Sequence, residues 1–286
     1  MPFNSSTMNT LDEIIISALR EDIGDGDHTT LSTVPEKASG KAKLILKEDG
    51  ILAGLNVAKK VFNLVDPQLS VELLLNEGDK VKHSDIAFFV SGSSRSILTS
   101  ERLVLNFMQR MSGIATVARK YVDAVSGFKA KILDTRKTTP NFRLIEKDAV
   151  RIGGALNHRF GLFDMILIKD NHIDYAGGIE EAIRDVANYL IALGKPLKIE
   201  IEARSLKDVE TIIALGGVHR IMLDNFALPD ITKAVNLIDG RFETEASGGI
   251  TLANVRDYAA CGVDFISVGA LTHQIHSLDM SLKAVI

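Results

Sequence analysis

A single cysteine, Cys261, in 286 residues excludes an internal disulfide framework, and no cysteine–histidine cluster has the spacing of a structural zinc site. A basic surplus is missing too. The 33 lysines and arginines against 37 aspartates and glutamates leave a formal net charge of −4, the wrong sign for a general nucleic-acid binder. Any anion must therefore be held by a local group of bases. No run of 18 apolar residues occurs, and the first residues show no basic stretch followed by an apolar one. The expectation is a cytoplasmic protein that neither crosses a membrane nor is exported. With 46% of residues hydrophobic, there is apolar material for one large core or two moderate ones.

Apolar residues at helical spacing over 11–19 predict a helix that stops at the acidic, glycine-rich stretch 21–27. Within that stretch, Asp25 to His28 either bind a metal or belong to the helix stop. Short apolar runs at 43–46, 71–75 and 86–90, separated by Asp49-Gly50 and Gly78-Asp79, predict strands and tight turns around a helix at 56–64. Ser100 is expected to cap a helix running through 101–108 and ending near Ser112-Gly113. This first portion reads as a small α+β domain.

A different unit then repeats: an apolar run, a polar residue at its end, a helical stretch. The runs are 132–133, 165–168, 197–201, 221–223, 242–246 and 265–268. Such alternation means a parallel sheet, either open and doubly wound or closed into a barrel. Near-even spacing of the last four runs favours the barrel, and gaps among the early ones predict fewer than eight strands. Apolar residues three and four apart in 178–193 and 252–261 suit the outer helical layer.

A parallel barrel gathers its site where the strands end. Early strand ends and their flanks supply Arg136, Lys137, His158, Arg159 and Lys169; middle ones supply Glu202 and Asp224. The last two supply Ser247-Gly248-Gly249 and Gly269-Ala270, backbone amides suited to a phosphate. Guanidinium forks suit a small dicarboxylate. The acids suit sugar hydroxyls, magnesium, or positive charge developing on a ribose carbon. Taken singly, each of these bases reads equally as a solvated surface charge, His158 as a packed structural histidine, and Ser247-Gly248-Gly249 as a turn. Their shared position at the ends of apolar strands favours a site. Glu200, on the same strand face as Glu202, reads as a salt-bridged residue filling a barrel layer. Arg102 beside Glu101 reads as an exposed pair.

Glu101-Arg102, Ser112-Gly113-Ile114-Ala115-Thr116 and Asp134-Thr135-Arg136-Lys137-Thr138-Thr139-Pro140 resemble the quinolinate phosphoribosyltransferase family. The likeness continues in order through Asn157-His158-Arg159, Leu167-Ile168-Lys169-Asp170-Asn171-His172, Leu223-Asp224-Asn225-Phe226, Ser247-Gly248-Gly249 and Val268-Gly269-Ala270-Leu271-Thr272-His273. The resemblance implies an N-terminal α/β sandwich over 1–113, joined by a C-terminal tail at 271–286, and an incomplete parallel α/β barrel over 114–270. It implies that quinolinate and phosphoribosyl pyrophosphate become nicotinate mononucleotide, carbon dioxide and pyrophosphate. It also implies Mg2+ carried mainly by phosphoribosyl pyrophosphate, and a homodimer whose shared sites receive Arg102 from the partner subunit. On this likeness Arg136, His158, Arg159 and Lys169 belong to the quinolinate pocket, with Thr135 in the substrate-binding set. Lys137, Glu202 and Asp224 belong to the phosphoribosyl pyrophosphate side, and Gly248, Gly249, Gly269 and Ala270 to its 5′-phosphate. Lys137, Lys169, Glu202 and Asp224 are the candidate catalytic groups. Ala203-Arg204 departs from the family pattern and puts the loop after Glu202 in doubt. The rivals are a phosphoribosyltransferase for nicotinate or an unrelated aromatic acid, and a non-catalytic phosphosugar-binding protein.

Overall fold

A computed structural model describes residues 10–285; the polar lead-in over 1–9 and Ile286 at the end of the expected tail lie outside the described residues. Helix α1 (Leu11–Ile23) starts at a capping box in which Thr10 and Glu13 bond each other's amides, and Gly24, at φ +56°, ends it. In α2 (His28–Thr33), Asp27 is the N-cap, accepting from the Thr30 amide at 3.0 Å and the Thr99 hydroxyl at 3.1 Å. The 25–28 stretch thus serves a helix boundary. Then come β1 (Ser39–Leu46), β2 (Gly50–Ile51), α3 (Leu55–Val65), β3 (Ser70–Leu73), β4 (Lys80–Val81), β5 (Ile86–Ser93) and α4 (Ser94–Ala124).

The last of these corrects two sequence expectations. Ser100 lies inside α4, where its hydroxyl donates to the carbonyls of Ser96 and Ile97, and α4 continues through Gly113 for 31 residues in all. Both signals have other uses. The Ser112 hydroxyl exchanges hydrogen bonds with the Ala53 backbone at 2.9 and 3.1 Å. A Cβ at Gly113 would collide with the His276 carbonyl, so this glycine admits a neighbouring chain rather than ending a helix.

Downstream lie β6 (Lys131–Leu133), α5 (Arg143–Ile152), β7 (Ile166–Ile168), α6 (Asp170–Ala176), α7 (Ile179–Leu193), β8 (Ile199–Ala203) and α8 (Leu206–Leu215). After them come β9 (Arg220–Asp224), α9 (Leu228–Ile238), β10 (Glu243–Ser247), α10 (Val255–Ala260), β11 (Phe265–Ser267), α11 (Ala270–His273) and β12 (Met280–Val285). Contacts divide the chain into two compact units. One holds residues up to Arg119, Thr138–Gly154 and the chain from Thr272; the other holds Lys120–Lys137 and Ala155–Leu271.

The first unit is built on an antiparallel sheet of order β12-β1-β5-β3. Alternation in β1 buries Ala42, Leu44 and Leu46; Leu44 stands opposite Phe88 on one neighbour and Leu282 on the other. Phe62 of α3 meets Phe88 edge-on with ring centroids 5.8 Å apart, packing that helix on the sheet's apolar face. The tail strand β12 is an integral part of this sheet.

The second unit is a six-stranded parallel sheet of order β6-β11-β10-β9-β8-β7, which runs in sequence order from β7 to β11 and then adds β6. This is a barrel left open between β6 and β7. At the gap, Leu156 makes a parallel bridge to Leu133, so residues 155–158 begin beside β6. Register sets the inner face. Glu200, Arg220 and Glu243 stand in line across β8, β9 and β10, as do Glu202, Met222 and Glu245, with Asp224 opposite Ser247. Ile201, Ile221, Leu223 and Ala246 alternate with them, buried against the helices. No helix among the described residues is long and apolar enough to cross a membrane.

Candidate active site

The loop after β6 carries Thr135, Arg136 and Lys137. Thr135 accepts the Lys137 amide at 3.0 Å, a tight local turn that leaves Arg136 half-buried and Lys137 exposed. Beneath them, buried Asp134 accepts the backbone amide of His158 at 2.8 Å and so fixes the next loop. Arg159 is held at its far end by the Met165 carbonyl at 3.2 Å. Burial, and then the neighbouring Arg136 charge, depress the Arg159 guanidinium below its ordinary pKa. Arg136 thus lies near enough to Arg159 for its charge to be felt there, and the acids Glu200, Asp164 and Glu202 act on Arg159 in the opposite sense.

Lys169 follows β7, and its Nζ donates to buried Glu202 at 2.6 Å; the other Glu202 oxygen accepts the Asp170 amide at 3.1 Å. Asp224, at the end of β9, is half-buried and accepts from Asn225 Nδ2 at 2.7 Å. At the next strand end the Asn225 amide donates to the Ser247 carbonyl, and Gly248, at φ +96°, has no room for a Cβ beside the Asn225 side chain. Gly249 is also left-handed, at φ +60°, so this turn exposes backbone rather than side chains. Gly269 and Ala270 follow β11 at partly exposed positions. Thus the strand ends of the second unit bring together the Arg136 loop, Arg159, Lys169, Glu202, Asp224 and both glycine turns. Arg102 belongs to the first unit, exposed on α4.

A cavity of about 420 Å³ between β7, α6 and α7 shares Arg159 and His172 with this region, but its other walls are mostly apolar, with Leu162, Met165, Leu167 and Val186 among them. It lacks Lys169, Glu202 and Asp224, so the charged strand ends are the better candidate. Sequence reasoning missed the layer below them. Arg220 bonds Glu243 at 3.0 Å and Glu245 at 2.7 Å, stacks over the Phe265 ring at 3.9 Å, and faces Glu200 across the register. Alternation of Glu243 with Glu245 was the available signal. Glu200 does fill a layer, and it accepts from His158 Nε2 at 2.9 Å. Arg204, the departure from the family pattern, makes a two-pronged pair with Asp174 of α6 at 2.9 and 3.0 Å, tying the loop after β8 to that helix.

The fold and the charges at its strand ends define a parallel α/β-barrel protein built to hold a small polyanion. The description "quinolinate phosphoribosyl transferase, N-terminal domain" fits residues 27–112, and the corresponding C-terminal domain fits residues 114–283. The chain belongs to this quinolinate phosphoribosyltransferase family. A "quinolinate phosphoribosyltransferase [decarboxylating] 1b" of Nicotiana tabacum is 47% identical over 286 residues, covering 94% of this chain and 81% of that protein. A chloroplastic nicotinate-nucleotide pyrophosphorylase (carboxylating) of Arabidopsis thaliana is 47% identical over 289 residues, covering 96% of this chain and 82% of that one. Among solved structures, NadC from Streptococcus pyogenes superposes with a TM-score of 0.91 at 40% identity, covering 98% of this chain and all of that one.

Proposed function

We propose that the chain transfers a phosphoribosyl group from phosphoribosyl pyrophosphate to quinolinate and decarboxylates the product, giving nicotinate mononucleotide, carbon dioxide and pyrophosphate for NAD biosynthesis. The observation that carries this reading is that the second unit places Arg136, Arg159 and Lys169, fit for a dicarboxylate, with Glu202 and Asp224 at or beside its strand ends.

The arginines hold the two carboxylates so that the pyridine nitrogen faces the anomeric carbon, which removes much of the entropic barrier. Thr135 borders the same loop. The C–O bond to pyrophosphate breaks as the N–C bond forms, and the electrons of the broken bond leave with pyrophosphate. Glu202 and Asp224 stabilise the positive charge that gathers on the ribose carbon. Lys137, exposed on its loop, faces the departing phosphates, and the amides around Gly248, Gly249, Gly269 and Ala270 hold the 5′-phosphate. Magnesium, carried mainly by phosphoribosyl pyrophosphate, supplies charge neutralisation for the leaving group. On the protein, Asp224 is the hard oxygen donor that fits it, because both Glu202 oxygens already accept bonds from Lys169 and Asp170. Once ribosylated, the ring nitrogen is cationic. The 2-carboxylate then leaves as carbon dioxide, its bonding electrons stay on the ring carbon beside that nitrogen, and a proton replaces it. Lys169 is the group to deliver that proton, and Glu202 aims its Nζ.

The working unit is a homodimer in which Arg102 of the partner subunit completes each site. Titration calorimetry tests the pocket: quinolinate should bind, and nicotinate, with one carboxylate fewer, should bind at least about tenfold more weakly. Equal affinities would transfer the assignment to the nicotinate rival.

A further inference from the structure

The ring of His158 is almost fully buried, its side chain 7% exposed, and both ring nitrogens are engaged within the second unit. The backbone amide of Arg159 donates to Nδ1 at 2.8 Å. A nitrogen that accepts an N–H carries no proton of its own, so the ring proton sits on Nε2, which donates to Glu200 at 2.9 Å. A doubly protonated ring would set an N–H against an N–H at Arg159.

What surrounds the ring agrees with a neutral imidazole. Glu200 and Glu245 are both fully buried, and Glu245 also lies 3.5 Å from His158 Nε2. One oxygen on each carboxyl, Oε1, has no hydrogen-bond donor, and the two side chains are within bonding reach of each other. A single proton held between the two carboxyls would let them lie side by side in the core. Arg220, which bonds Glu245 at 2.7 Å and Glu243 at 3.0 Å, supplies the cation of this layer. The same three side chains have donor atoms close enough to surround a metal ion, but Arg220 already supplies the cation.

We propose that His158 is a positioning residue, fixed as the neutral Nε2–H tautomer by the Glu200–Glu245 pair, so that its Nδ1 seats the Arg159 backbone and aims that guanidinium at the substrate. This rests on the quinolinate reading above and gives His158 a different part in it from direct contact through a ring nitrogen. The chain of cause runs from the barrel register, which puts Glu200 and Arg220 side by side, to the acid pair, to the imidazole, to the Arg159 loop. Burial pushes both carboxyls up to about 7.

Two measurements test it. In protein labelled with 15N-histidine, the His158 signal is found by its loss in His158→Asn; at neutral pH it should report a proton on Nε2 alone, with and without saturating quinolinate. A doubly protonated ring, or a proton on Nδ1, overturns the proposal. In kinetics, His158→Asn keeps an acceptor where Nδ1 lies, and His158→Gln keeps a polar group where Nε2 lies. The quinolinate KM should rise roughly tenfold more in His158→Gln than in His158→Asn, with the phosphoribosyl pyrophosphate KM unchanged in both. Equal rises, or a smaller rise in His158→Gln, contradict the Nδ1 role. If wild-type protein fails to turn over quinolinate, the functional reading falls, and the nitrogen spectrum still decides the tautomer.

Discussion

Arg136 and Arg159 show how a residue's chemistry is set by its neighbours: burial and the Arg136 charge both bear on the Arg159 guanidinium, and the proposed function gives the two the substrate's carboxylates. Replacing either by Ala should weaken quinolinate binding about ten- to a hundredfold, because each removes a charge-assisted contact worth roughly 1.5–3 kcal/mol. Glu202→Gln should lower turnover while leaving quinolinate affinity near wild type. Calorimetry that found affinity unchanged in both arginine variants would displace the pocket. The buried acids make a second prediction. Glu200 and Glu245 have their pKa values raised by burial to about 7 from an ordinary 4.5, so between those values the folded chain binds more protons than the unfolded one. Their stabilising contribution is full below about 4.5 and is lost as pH rises through about 7. Asp27 and Asp264 are shifted the other way, below 3.8, so they act outside this window. Denaturant midpoints measured from pH 5 to 8 should therefore fall less steeply in Glu245→Gln than in wild type; parallel slopes would refute the assignment. Asp134, Lys169, Glu202 and Asp224 were legible as strand-end positions because each closes an apolar run. Arg220 and Glu245 were not legible, since the strand register sets Arg220 opposite Glu200 and Glu245 joins them only through its side-chain bond to Arg220.

Among the elements, the six parallel strands were legible because fully buried strands read as apolar runs ended by a polar residue. Helix α4 was not read at its full length. A serine followed by apolar residues and a serine-glycine pair are ordinary helix boundary signals, yet in this chain Ser100 bonds back to its own helix, Ser112 bonds Ala53, and Gly113 makes room for His276. The last two uses involve residues dozens of positions away, which local pattern does not encode. Gly113→Ala should accordingly destabilise the fold by about 1–3 kcal/mol, the usual range for overpacking a tight contact. Urea unfolding checks this, and an unchanged midpoint would mean that the backbone at His276 is not held against α4.

For the molecule as a whole, Arg102 stands apart: it lies in the first unit, and the other candidate site residues lie in the second. If Arg102 serves the partner subunit, Arg102→Ala and Lys169→Ala homodimers should each be nearly inactive. Refolding them together produces mixed dimers in which one site carries both changes and the other neither. Random pairing makes about half the dimers mixed with one intact site of two, so activity should recover to roughly a quarter of wild type. Absence of recovery, with mixed dimers proven by mass spectrometry, would put Arg102 in its own subunit's site or outside any site. The decisive assay concerns the reaction itself. Carbon dioxide and pyrophosphate, measured together, should appear in equal amounts and only when quinolinate, phosphoribosyl pyrophosphate and magnesium are all present. Comparable pyrophosphate release with nicotinate in place of quinolinate, or pyrophosphate formed without matching carbon dioxide, would contradict the proposed activity.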